Sequence, residues 1–204
     1  MNPEKLYRDH AAEVLGWVIR LGGAAMDPED VAHEVFEIAI RKFATLETAT
    51  CSPTTWLYGI TRRVLANRRR AAWWRRVLSM RPADAAGEGD ESAEWASDAE
   101  PPDEALEHER RRRAVQRALQ RVSELDREVL VLAGMEERSA PETAEMLGIP
   151  VGTVHSRLHN ARRRFASALA AEGIRSIESD AGRGEEGGGV VSNVIALRPR
   201  GGRP

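Results

Sequence analysis

The chain has 204 residues, 42% hydrophobic and 30% charged, with a formal net charge of -2 and one cysteine. At ~100–200 residues per domain, that length predicts one or two compact domains. The lone Cys51 excludes an intramolecular disulfide, and no stretch approaches the ~18 uninterrupted apolar residues of a membrane span.

The segment Met1 to His10 is polar and mixed in charge, which is not the pattern of a secretory signal. A cytoplasmic protein without membrane insertion is expected. The total charge does not point to a nucleic-acid partner, but its distribution does. From Arg62 to Arg81 there are eight Arg and no acid. From Pro82 to Glu109 there are eleven acids and no Lys or Arg, and from Arg110 to Gly173 twelve Arg stand against eight acids. Such a basic, acidic, basic layout is more informative than the sum.

Helical spacing is found throughout, and strand alternation and hairpin turns are not. Leu6, Val14, Leu15, Trp17, Val18 and Leu21 recur at three- and four-residue steps, predicting a helix from Pro3 to Leu21 that ends at Gly22-Gly23. Asp27-Pro28-Glu29-Asp30 reads as a helix start, with Asp27 as N-cap and Pro28 in the first turn. Val31, Val35, Ile38 and Ala39 form the apolar stripe of that helix, and Phe43 and Leu46 close it. Thr48 to Thr54 is a small polar loop, and Ser52-Pro53 is a second cap signature. Trp56, Leu57, Ile60, Val64 and Leu65 then give a helical face that runs into Asn67-Arg68-Arg69-Arg70.

Residues from Arg81 to about Asp103 are rich in Ala, Gly, Ser, Pro and acids, a linker composition with little apolar surface. A second lobe follows, carrying Leu106, Val115, Leu119, Val122, Leu125, Val129, Leu130 and Leu132. Ser139 and Glu142 form a capping box for a short helix that ends at Gly148, and a long helix is expected from Val151 to Ala171. This is helix-turn-helix spacing. Val154, Leu158, Ala161 and Phe165 face inward, leaving a polar, basic remainder that suits a major groove. Spacing alone leaves a second reading open, because such pieces also occur in proteins that bind no DNA. His155 and His159 stand four apart, but no third metal ligand accompanies them. No nucleophile elbow, phosphate loop or acid/base pair is found, so no catalytic residue, metal or cofactor is assigned.

Four segments go beyond a generic motif. Gly152-Thr-Val-His-Ser-Arg-Leu-His-Asn-Ala-Arg162 resembles the "GTVxSRLxRAR" signature of sigma region 4, and Leu125-Asp-Arg-Glu-Val-Leu130 resembles its opening, "LPxxxREVL". Asp27-Pro-Glu-Asp-Val-Ala-His-Glu-Val-Phe36 resembles region 2.2, and Trp56-Leu-Tyr-Gly-Ile-Thr-Arg62 resembles the "WLYRIARN" of regions 2.3 and 2.4. They occur in order and at the right separation, so the chain resembles a bacterial sigma factor of the extracytoplasmic-function (ECF) class.

The resemblance implies an all-α fold of two helical domains joined by a flexible acidic linker: region 2 at 1–80, linker at 81–104, region 4 at 105–172, and a disordered tail at 173–204. It implies a factor that directs core RNA polymerase to promoters and assists melting, docking on the β′ coiled coil and the β flap. Asp30, His33, Glu34 and Glu37 would bind core polymerase. Thr50, Cys51, Ser52, Trp56, Arg62, Arg63, Arg68, Arg69 and Arg70 would hold the -10 element, with a flipped base in the loop from Glu47 to Thr54. Thr153, His155, Ser156, Arg157, His159, Asn160, Arg162 and Arg163 would engage the -35 element. The family commonly has an anti-sigma partner.

Departures limit the transfer of promoter preference. The family usually has Asn where this chain has Arg63, often Asp where it has Asn67, and commonly basic residues where it has His155 and Asn160. The alternative function is a helix-turn-helix regulator that binds duplex DNA without acting as a sigma subunit; a degenerate relative that binds only protein is another. Trp73-Trp74 are expected to pack against the lobe or a regulator, the alternative being stacking on unpaired bases. The acidic linker is either an inert tether or a cover for the basic helices, and Val190 to Leu197 is an apolar patch in the tail.

Overall fold

The computed structural model describes residues 2–23, 26–79 and 103–174. All regular structure among them is helical. The chain divides into two compact units, Met1–His108 and Glu109–Pro204. Most of the expected linker, from 81 to 102, and the tail patch lie outside the described residues.

In the first unit, α1 (Pro3–Gly22), α2 (Pro28–Arg41) and α4 (Pro53–Ser79) pack mutually, and the short α3 (Phe43–Glu47) joins the last two. Each start has a local cause. Asn2 accepts the Lys5 N–H at the head of α1. Asp27 accepts the N–H groups of Glu29 and Asp30 at 2.9 and 3.3 Å, and Ser52 Oγ accepts the Thr55 N–H at 3.1 Å. Each satisfies a donor that the first turn leaves without a helical partner. Two expectations need adjustment. The helix from Pro28 does not run through to Leu46: it breaks at Lys42 (φ -103°, ψ 14°), and α3 is a separate turn. The polar loop ends at Ser52, because the Ser-Pro cap already starts α4 at Pro53. The core is built from Leu6, Val14, Trp17, Val31, Val35, Leu57, Tyr58 and Leu65, all essentially inaccessible. The Trp17 and Tyr58 rings meet edge to face at 5.1 Å.

α5 (Asp103–Gln120) begins before the boundary between the units and leads, in the second, to α6 (Glu124–Val129), which continues as a π-helical segment, Leu130–Met135. Then come α7 (Ala140–Leu147) and α8 (Val151–Ala171). α6, α7 and the π segment all pack on α8. Val115, Leu119, Val122, Leu130, Ala161, Phe165 and Leu169 form one buried cluster, with Leu158 half-buried against it. Leu106, expected in this core, is exposed.

Candidate nucleic-acid and protein interfaces

The turn between α7 and α8 is built locally. Ser139 Oγ accepts the Glu142 N–H at 3.3 Å while the Glu142 carboxylate accepts the Ser139 N–H at 2.9 Å. The Ser139 hydroxyl and backbone hold the Glu142 carboxyl below its ordinary range. Gly148 ends α7 at φ 66°, ψ 38°, the left-handed conformation that glycine adopts without steric cost. The Ile149 N–H then bonds the Ala144 carbonyl at 3.1 Å. Thr143, Ala144, Met146 and Leu147 bury one side of α7. α8 therefore leaves the turn with Val154, Ala161 and Phe165 buried, and with His155, Ser156, His159, Asn160 and Arg163 exposed. Thr153, Arg157 and Arg162 are half-buried.

Arg157 stands apart from that exposed set. Its Nη1 donates to Asp126 Oδ1 at 2.9 Å, and Arg164 Nη1 donates to Asp126 Oδ2 at 3.1 Å. Asp126 is 5% exposed. Ser123 also donates to it, at 2.7 Å, rather than capping a backbone N–H of α6. Burial by itself would raise the Asp126 pKa, but the Ser123 hydroxyl and then Arg157 and Arg164 outweigh it and hold the carboxyl below its usual value. At the other end of α8, Glu172 accepts from Arg117 of α5 and from Arg121 just beyond it at 2.7 and 2.9 Å.

In the first unit, Asp30, His33 and Glu37 are exposed along α2. Glu34 turns toward α4, where its carboxylate accepts from Arg68 Nε at 2.7 Å. His33 lines a groove of about 270 Å³ between α1 and α2, with Tyr7, Ala12, Glu29 and Phe36. A larger groove, about 860 Å³, lies between α2 and α4. Trp56, Ile60, Arg63 and Asn67 line one wall of it, and Ile38, Arg41 and Lys42 the other. Three cations on its rim against one acid, itself paired with Arg68, make the groove suited to an anionic strand bearing flat apolar bases. Thr50, Cys51 and Ser52 sit in the loop ahead of α4 and do not line the groove. Arg62 is half-buried, Arg69 Nη1 donates to the Leu21 carbonyl at 3.2 Å, and Arg70 is exposed. The basic run is thus split between structural bonds and the surface. Trp73 and Trp74 meet edge to face at 4.7 Å and are 53% and 51% exposed. Packing against the lobe is therefore not found among the described residues; Val77 and Leu78, on the same stretch of α4, are exposed too.

Comparison with known proteins bears directly on these two units. The Sigma-70 region 2 model matches residues 6–75, and the Sigma-70 region 4 model matches residues 112–165. The ECF RNA polymerase sigma factor SigL of Mycobacterium tuberculosis is 30% identical over 172 residues, covering 83% of this chain and 89% of the relative. The chain belongs to the ECF sigma factors. The RNA polymerase sigma-H factor of Pseudomonas aeruginosa is 31% identical over 159 residues, covering 77% of this chain and 80% of that one. The same fold occurs in the sigma factor RpoE solved in complex with the anti-sigma factor NepR from Bartonella quintana, at 20% identity and a TM-score of 0.59, over 82% of this chain and 96% of that one. The all-α reading stands, and the protein is a sigma factor that directs RNA polymerase in transcription initiation. No helix among the described residues is long and apolar enough to cross a membrane.

Two features of this sigma factor escaped sequence reasoning. The groove between α1 and α2 draws on Tyr7, which the apolar stripe of that helix did not include. The Asp126 cluster joins residues 31 and 38 positions apart, so no local spacing signals it.

Proposed function

We propose a division of labour for the two units. The first docks on core polymerase and holds the -10 element, and the second reads the -35 element. Core docking uses Asp30, His33 and Glu37 on α2, extended onto α1 by Tyr7 beside the smaller groove. The observation that carries the proposal is that α2 serves two surfaces at once. One side exposes the docking residues, and the other walls the basic groove with α4. A regulator that only binds duplex DNA has no use for such an arrangement. Trp56 and Arg63 in the groove, with Arg70 beyond it, hold the displaced strand, and the loop carrying Thr50, Cys51 and Ser52 receives a flipped base. In the second unit, His155, Ser156, His159 and Asn160 read base edges, and Thr153, Arg162 and Arg163 support them at the backbone.

The same reading makes the protein a cytoplasmic factor that performs no chemistry itself. RpoE of Bartonella quintana assembles with an anti-sigma factor, and we propose a partner of that kind here. Run-off transcription with purified core polymerase, and this chain as the only specificity factor, tests the reading. Promoter-specific products and binding to core are expected. Duplex DNA binding without any core binding would favour the regulator instead.

A further inference from the structure

We infer that Arg157 is a strut and not a DNA contact: Asp126 clamps Arg157 and Arg164 to α6, and the clamp sets the register at which α8 presents its other side to DNA. The inference rests on the reading of α8 as the -35 helix.

Arg157 and Arg164 are seven residues apart on α8, two turns, so they share one side of the helix. One buried carboxylate spans them, a separate oxygen to each. At 100° per residue, His155 and His159 are each turned by about 200° from Arg157, to the opposite side, whereas Asn160 and Thr153 lie within about 60° of it and border the clamp. The Arg157 side chain is 38% exposed, but its Nε is buried and its Nη1 is committed to Asp126. Pulling Arg157 to DNA would break its bond to Asp126 and leave Oδ1 of that buried carboxylate without its arginine, with Ser123 and Arg164 both on Oδ2. A rigid α6 behind α8 gives the exposed side chains a fixed aim, which is what base-edge readout demands.

The dependence of DNA affinity on salt separates a strut from a phosphate contact. Each phosphate neutralised by a basic side chain contributes a slope of about -0.9 to log K against log salt. Holoenzyme built on the full chain is titrated with a mapped promoter fragment and with the same fragment carrying a scrambled -35 element. We expect Arg157→Ala and Asp126→Asn each to weaken binding to the intact fragment about tenfold, with the salt slope unchanged. The double variant should be no more than twofold weaker than either single variant, since both remove one unit. Arg157→Lys keeps the charge and disturbs folding least. It should retain part of the affinity, because a lysine ammonium can still donate to the one Asp126 oxygen that Arg157 Nη1 engages. The clamp is overturned if Arg157→Ala shallows the slope by about 0.9, or if Asp126→Asn tightens binding by releasing Arg157. Wild-type holoenzyme indifferent to the scrambled element would instead overturn the -35 reading, and the clamp's role with it.

Discussion

At the scale of single residues, two backbone positions frame the start of the helix-turn-helix. Ser139 forms the capping box that its sequence pattern announced, because a cap depends on neighbours three residues away. Glu137, two residues earlier, is the only non-glycine residue with positive φ among the described residues, at 54°. Nothing in a glutamate's identity signals that conformation, so it was invisible in the sequence. The left-handed region costs an L-residue ~1–2 kcal/mol, and glycine gives back ~0.5–1 kcal/mol of that through its freer unfolded chain. Glu137→Gly should therefore stabilise the second unit by about 0.5–1 kcal/mol, read as a rise in Tm of roughly 3–6 °C. A lower Tm would mean that contacts of the Glu137 side chain outweigh the relief of backbone strain.

At the scale of elements, legibility tracked the range of the interactions. α1, α2, α7 and α8 were readable because apolar spacing and end signals lie within each helix. The break at Lys42 and the π-helical turn Leu130–Met135 were not, since each depends on how a continuous apolar run meets its neighbours. The π segment buries Leu130, Val131, Leu132 and Gly134, more of its circumference than a single helical stripe would cover. The site divided in the same way. The exposed positions of α8 followed from helical spacing, whereas the bond from Arg157 to Asp126 requires knowing where α6 lies. The bond between α6 and α8 has a pH signature. The Asp126 carboxyl is held below its ordinary value, so its ionised form stabilises the folded unit. That contribution is fully present above the unfolded value of about 3.9 and disappears as pH falls from there through the folded value. Glu142 is shifted in the same direction and adds to the acid sensitivity. Urea midpoints between pH 7 and pH 3 should thus fall more steeply for the wild-type second unit than for Asp126→Asn, below about pH 4. Parallel curves would show that Asp126 gains nothing from its two arginines.

At the scale of the whole molecule, the charge layout acquires a physical meaning. The near-neutral total conceals two units with different tasks, and their surfaces can be altered separately. Asp30, Glu37 and Tyr7 are exposed on the first unit, outside the larger groove that holds Trp56 and Arg63. His159 and Asn160 are exposed on the second, away from its buried cluster. Apart from Tyr7, whose ring meets that of buried Phe36, substituting these leaves the cores intact, so the effects report binding. Exposed charges at a protein interface alter association and its salt dependence, typically by ~1 kcal/mol or less each. Combining Asp30→Ala with Glu37→Ala should weaken core binding several-fold and lower transcription from every promoter of this factor by a similar factor. His159→Ala with Asn160→Ala removes base contacts worth ~1–3 kcal/mol each. It should leave core affinity unchanged and depress only promoters whose -35 element fits. Promoters recognised mainly through the -10 element should be spared. Core affinity by anisotropy and a panel of promoters in run-off assays would decide the matter. If the second pair lowers all promoters equally, the -35 side of α8 contributes general affinity rather than selection, and specificity would then rest on the groove between α2 and α4 and the loop that precedes α4.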